Sequence, residues 1–388
     1  MLEKFFSAKI LEYFPNRNYT SIYLFSIADG LADKFIEIFS GAFLYSLGMP
    51  LPLVLLYYGL EFGIMGAFTP LGPMLVARWG VIKSFTLSYV FMILYFASLV
   101  LATKSLWIGF FGFIFYGLAR AINHPSIDGL RSALVSNTDR GKQYSLETVL
   151  KALAAIAAAA LGVLLGSHIG IVAIIFILSC VMAVSSFSIL REFPRPQQVT
   201  FAEPYKYLFS NSYRENLLPI AGQALAIIAI GNIAPLLIFL VVGNFKILGL
   251  VVALSVVLDM LVVIFYGRAI DKSLDKKSSA TAGLQGLGML GYIFLVKSPI
   301  SAFIINSYNR ISWNIYNSSY STRLDRKGLK TSQPFMFGAA HEMNLCFVEV
   351  VVLSLFAYIA YLFGKNIFAI VFLSSIIGLY LYTRYFID

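Results

Sequence analysis

Long apolar runs alternate with short polar breaks along the whole chain. The runs cover residues 20–46, 51–76, 83–103, 106–130, 144–166, 169–190, 216–241, 247–267, 279–296, 299–321, 334–363 and 366–385. A helix rises about 1.5 Å per residue, so about 20 apolar residues cross the hydrocarbon core of a bilayer. The pattern therefore predicts an all-α integral membrane protein with twelve transmembrane helices. The longest polar break, 191–215, holds Arg191, Pro194, Arg195, Pro196, Gln197 and Gln198 and divides the spans six and six. This predicts an N-terminal bundle over 1–190, a cytoplasmic linker over 191–215 and a C-terminal bundle over 216–388. Residues 1–18 mix Lys4, Lys9 and Arg17 with Phe5, Phe6, Ile10 and Phe14. They fit an amphipathic segment on the membrane surface or a frayed terminus.

Composition strengthens the membrane reading. Of 388 residues 59% are hydrophobic and 12% charged, against about a quarter charged in soluble domains. The net charge of +10 raises nucleic acid as a partner, but the placement of the charges removes that need. With the N-terminus inside, the only outer-loop cations are Lys104, Lys246, Lys297 and Lys365. Lys34, Arg120, Lys151 and Arg310 lie inside spans, and every other Lys and Arg falls on the cytoplasmic side. That asymmetry follows the positive-inside rule and predicts both termini in the cytoplasm, with the chain in the cytoplasmic (inner) membrane. Cys180 and Cys346 are too far apart to frame a disulfide or a metal site.

Several short motifs fail their context. Gly286-Leu-Gly288-Met-Leu-Gly291 matches a dinucleotide fingerprint but lies inside span nine with no strand before it; close helix packing by small residues accounts for it. His124-Pro-Ser-Ile-Asp128 has acyltransferase spacing but is a lone match at a proline-bearing helix end. No Walker A sequence is present, and the three histidines lack zinc-ligand spacing. No cofactor or metal is expected.

The two halves repeat one another. The loop after span two runs from Gly72 through Arg78 and Gly80 to Lys83, and the loop after span eight runs from Gly267 through Arg268 and Asp271 to Lys276 and Lys277. Spans four and ten each carry a central arginine, Arg120 and Arg310, and each ends in a basic loop. With these features the chain resembles the major facilitator superfamily over nearly its whole length. The segment Gly267 to Lys277 is similar to that family's loop motif, with Asp271 as the acid that stabilises the cytoplasmic helix arrangement. Leu274 stands where the family has Gly, Ala77 replaces the acid in the first-half copy, and span five lacks the family's Gly-Pro antiporter motif. The resemblance implies two pseudo-symmetric six-helix bundles with a cavity lined by spans one, four, seven and ten.

Charges within spans carry the candidate chemistry, because an ionisable group in lipid must be paired or wetted. In span one Asp29, Asp33 and Glu37 share one helical face by their four-residue spacing, next to Lys34. Asp33 or Asp29 is placed to meet Arg120 near midplane. By the resemblance, Arg310 faces them from the other half. Two arginines could clamp a carboxylate or phosphate, or each could neutralise a nearby acid. Gln223 and Asn232 in span seven, with Tyr308, Arg310, Trp313 and Asn314 in span ten, suggest a polar lining or hydrogen bonds between helices. A gating set comprises Glu61, Lys151, Asp259, Asp271, Glu342 and Glu349. Within it Lys151 is expected to pair with Asp259 across the two halves, or with Glu147 one turn away.

These features lead to a secondary transporter, not an enzyme. It is expected to work by alternating access, coupled to protons, on a small polar or anionic solute, as a monomer. The competing readings are a drug or lipid efflux carrier of the same fold and an integral membrane transferase acting on lipid-linked substrates.

Overall fold

The computed structural model describes residues 17–134, 140–162, 199–270, 278–330 and 334–386, with positions 174 and 177. The expected span at 169–190, the N-terminal amphipathic segment before residue 17 and the loop acid Asp271 lie outside the described residues.

The helices of the first half are α1 (Arg17–Ser46), α2 (Leu51–Phe68), α3 (Leu71–Trp79), α4 (Val81–Leu101), α5 (Leu106–Leu134) and α6 (Arg140–Gly162). Short helices α7 (Glu203–Leu208) and α8 (Asn211–Arg214) lie in the linker. The second half holds α9 (Leu217–Ile227), a π turn at Ile228–Ile233, α10 (Ala234–Val242), α11 (Phe245–Ile270), α12 (Ser278–Phe294), α13 (Pro299–Lys330), α14 (Pro334–Phe363) and α15 (Ile367–Phe386). Among the described residues all regular structure is helical, as a lipid solvent demands of segments that satisfy their own backbone.

Two expected spans are interrupted, both at prolines. The second stops at Phe68 and resumes at Leu71, because Pro70 has no N–H to give to the Gly66 carbonyl; the Thr69 N–H and hydroxyl both donate to the Met65 carbonyl, each at 2.8 Å. In the seventh, Pro235 cannot donate to the carbonyl of Gly231, and the helix widens into the π turn just before it. The Ala234 N–H reaches back five residues to the Ala229 carbonyl. Asn232 sits in this turn. Span ten continues past the expected 321 to Lys330.

Apolar rows mark the lipid-facing surfaces. Leu250, Leu254, Leu258 and Leu261 on α11, and Val351, Leu355, Tyr358 and Leu362 on α14, stand exposed at helical spacing. Such rows suit hydrocarbon, not water.

Across the middle, α2 packs along α14 and α6 packs along α11. In the repeat, span two corresponds to eight and span five to eleven, so these two contacts are pseudo-symmetric copies. Glycines permit the first: a Cβ on Gly66 would come within 2.8 Å of the Cys346 Cβ, and one on Gly63 within 3.1 Å of Val350. Small residues allow the same close approach in membrane helix pairs generally. The span-nine glycines serve α13, since a Cβ on Gly291 would fall 2.8 Å from Ile305.

Candidate functional site

Helix α1 is enclosed by protein. It packs against α6, α10, α5 and α2. Between Ala28 and Leu44 every side chain is buried except Asp29, Asp33, Lys34 and Glu37. These four are all the charged residues of that stretch. A helix with a lipid face leaves apolar side chains open; this one leaves open only its ionic stripe. Charges cannot face hydrocarbon unpaired, and this stripe is turned toward neighbouring helices that supply partners.

The partners of the stripe come mainly from α5. The Tyr116 hydroxyl donates to Asp33 Oδ1 at 2.9 Å. His124 Nε2 lies 3.3 Å from Asp33 Oδ2 and accepts from Arg120 Nε at 3.2 Å. Asn123 Nδ2 donates to Asp29 Oδ1 at 3.3 Å. These α5 residues reach α1 because Tyr116, Arg120, Asn123 and His124 fall at helical three- and four-residue spacing. Pro125 follows immediately and deletes the bond to the Ala121 carbonyl in that turn.

Arg120 is the hub. Its guanidinium lies 3.7 Å from Glu61 Oε1 of α2. It also stands over the Phe62 and Tyr116 rings, 5.8 and 5.4 Å from their centroids, in cation–π range. Its charge also acts on Glu349 of α14, in the other half. Glu61 and Glu349 are buried. Lys34 pairs with Glu37 one turn on, and Lys151 with Glu147 at 2.9 Å.

The second half holds a smaller counterpart. On α11 Asp259 accepts from Asn314 of α13 and lies within electrostatic reach of Arg310 on the same helix as Asn314. Spans eight and ten are the repeat partners of spans two and four. Asp259 with Arg310 therefore mirrors Glu61 with Arg120.

The expected site residues thus divide. Asp29, Asp33 and Arg120 converge, with Glu61 from the gating set, and Glu37 follows one turn further along the stripe. Arg310 and Asn314 gather around Asp259. Lys151 bonds Glu147, the alternative partner, while Asp259 bonds Asn314. Tyr308 is exposed and donates to the Leu284 carbonyl of α12 at 3.0 Å, away from Arg310. Trp313 packs on Tyr316, with ring centroids 5.6 Å apart. Gln223 and Asn232 are buried on the seventh span. Glu342 lies half-buried on α14 beside buried His341. Much of the polarity of span ten joins helices: Asn309 donates to the Gly288 carbonyl at 2.8 Å and accepts from Gln285 at 3.2 Å.

Sequence reasoning weighed His124 only as part of a local motif and passed over Asn123 and Tyr116. The available signal was register: all three lie within four residues of Arg120.

A multi-pass helical membrane protein with an ionic stripe enclosed at its centre is the class these features define. No protein-family model and no curated protein matches the chain. Solved structures do. A bacterial homologue of the iron transporter ferroportin, in an outward-facing state, aligns with a TM-score of 0.66 at 15% identity, over 96% of this chain and 98% of that one. The E. coli fucose:proton symporter FucP aligns with a TM-score of 0.64 at 13% identity, with the same coverage. The chain shares the major facilitator fold of these structures, and among the described residues six spans are long and apolar enough to cross a membrane.

Proposed function

We propose that this chain is a secondary transporter that works by alternating access and couples solute movement to protons. The observation that carries the reading is the stretch of α1 between Ala28 and Leu44, where the only side chains not buried are Asp29, Asp33, Lys34 and Glu37. A purely structural charge cluster would be sealed in dry contacts; this one is partly open, with the Asp33 and His124 side chains 14% and 21% exposed. The fold supports transport by analogy, since solved structures sharing it include a fucose:proton symporter and a homologue of an iron transporter. Those two differ in cargo, so the fold does not name the solute; the site must.

The acidic lining disfavours an anionic solute. The anionic alternative needs two free arginines, but Arg120 lies against Glu61 and Arg310 lies near Asp259. The contact between halves at α2 and α14 supports alternating access, because Glu349 of one half lies within electrostatic reach of Arg120 and Glu61 of the other.

The test is transport by the purified full chain in proteoliposomes holding a pH-sensitive dye, screened against a solute library. Solute-dependent proton flux is expected in the wild type and its loss in Asp33→Asn, with the variant's helical content and melting cooperativity retained. Proton flux in Asp33→Asn equal to wild type overturns the coupling assignment.

A further inference from the structure

We propose that Asp29, Asp33 and His124 form a binding site for a divalent first-row transition-metal cation, which is the solute carried. This rests on the reading of the same site as a transport passage. Three observations support it.

The first is geometry. One donor atom from each of Asp29, Asp33 and His124 lies within 4.8 Å of the other two. Donors on opposite sides of one such cation stand about 4.2 Å apart at metal–ligand distances of about 2.0–2.2 Å. A slight inward rotation of side chains therefore closes the set on one ion. Tyr116 holds Oδ1 of Asp33, which leaves Oδ2 turned toward His124. A carboxylate fixed by an outer hydrogen bond is the usual support of a metal ligand.

The second is charge. The three nearby cations are fewer than the acids around them: Lys34 pairs with Glu37, Lys151 with Glu147, and the charge of Arg120 is shared between Glu61 and Asp33. Among the described residues no lysine or arginine bonds Asp29 or Asp33. Two carboxylates at this depth need compensation, and a dication supplies both charges.

The third is Asn123. It is 2% exposed, its amide is directed at Asp29, and its Oδ1 has no hydrogen-bond partner. Turning the amide over brings that oxygen to the cluster as a further ligand. Two carboxylates, one imidazole and one amide oxygen make a mixed N/O set. Such a set suits Mn²⁺, Fe²⁺, Co²⁺ or Zn²⁺, whereas Mg²⁺ and Ca²⁺ favour all-oxygen shells.

Arg120 now occupies the imidazole lone pair through its Nε–H. Binding an ion requires it to withdraw, and Glu61 lies ready to hold it.

The test uses tag-free full chain in nanodiscs, titrated with Co²⁺ and followed by calorimetry and by visible absorption of the bound ion. One Co²⁺ per chain is expected, with visible bands, no competition from Mg²⁺, and affinity at least tenfold weaker in Asp33→Asn and in His124→Ala. Removing an uncompensated charge should leave the metal-free melting temperature of Asp29→Asn equal to wild type or higher, while the Co²⁺-induced rise is lost. The melt also shows that the variant folds. Absence of saturable Co²⁺ binding by the wild type, or equal binding by Asp33→Asn and His124→Ala, overturns the proposal. Solute flux without Co²⁺ binding rejects the cation site and spares the transporter reading. Co²⁺ binding without any flux rejects the transporter reading and spares the site.

Discussion

Replacing Arg120 with Gln tests the hub of the site. Arg120 lies 3.7 Å from Glu61, whose side chain is 2% exposed. At an effective dielectric of about 20 that separation corresponds to an attraction of about 4 kcal/mol. Removing one partner of a buried pair costs about 3–5 kcal/mol, because the remaining charge is stranded. Arg120→Gln alone should therefore destabilise the protein by about 3–5 kcal/mol. Adding Glu61→Gln removes the stranded carboxylate and should restore most of the loss. The residue left over, about 1–2 kcal/mol, is the missing stacking of the guanidinium on Phe62 and Tyr116. Glu61→Gln alone should cost less than Arg120→Gln, since Arg120 keeps Asp33 and Glu349 within electrostatic reach. The assay is reversible unfolding of the purified variants in mixed lipid–detergent micelles, read as a double-mutant cycle. A double variant no more stable than Arg120→Gln refutes the pairing and with it the hub.

Two further outcomes follow from the interface between the halves. Gly66→Ala should lower the melting temperature more than Gly63→Ala, because its Cβ meets the Cys346 Cβ at 2.8 Å while that of Gly63 meets a Val350 methyl at 3.1 Å. Overpacking of this kind costs about 1–3 kcal/mol, and equal melting temperatures for the two variants would place α2 and α14 further apart. Lys151→Met should cost less than about 1 kcal/mol, as expected of a half-exposed lysine whose partner, Glu147, lies one turn away; a larger loss in unfolding would reveal a second acid holding it, Asp259 being the first to examine.

The fold was legible because lipid makes a single demand on the chain, and runs of about 20 apolar residues meet it. Where the expected spans fail, they fail at backbone chemistry that hydropathy does not weigh. Pro70 and Pro235 sit in apolar runs and change nothing in an average, yet each deletes a donor and redirects the helix. The extension of α13 past residue 321 is the converse. Arg323, Arg326 and Lys327 end a hydrophobic run, but arginine and lysine are good helix formers, so the helix continues to Lys330.

The site was legible only in part, and the division has a physical cause. Asp29, Asp33 and Glu37 announce themselves because a carboxylate in lipid is costly at any pH near neutral, and their spacing alone puts them on one face. What that face meets depends on which helix lies across from it, and sequence spacing on α1 holds no information about α5. His124 escaped for a further reason. Imidazole has no obligatory charge, so its presence in a span raises no alarm, and its neighbours Pro125 and Asp128 suggested a different, local motif. Its role rests on a contact across helices: Nε2 stands between the Arg120 Nε–H at 3.2 Å and Asp33 Oδ2 at 3.3 Å. One ring nitrogen cannot accept a proton from Arg120 and donate one to Asp33 at once. The two contacts are therefore alternatives, and the imidazole bonds either Arg120 or Asp33, while a different guanidinium nitrogen, Nη1, faces Glu61 and Glu349 lies within electrostatic reach across the midline.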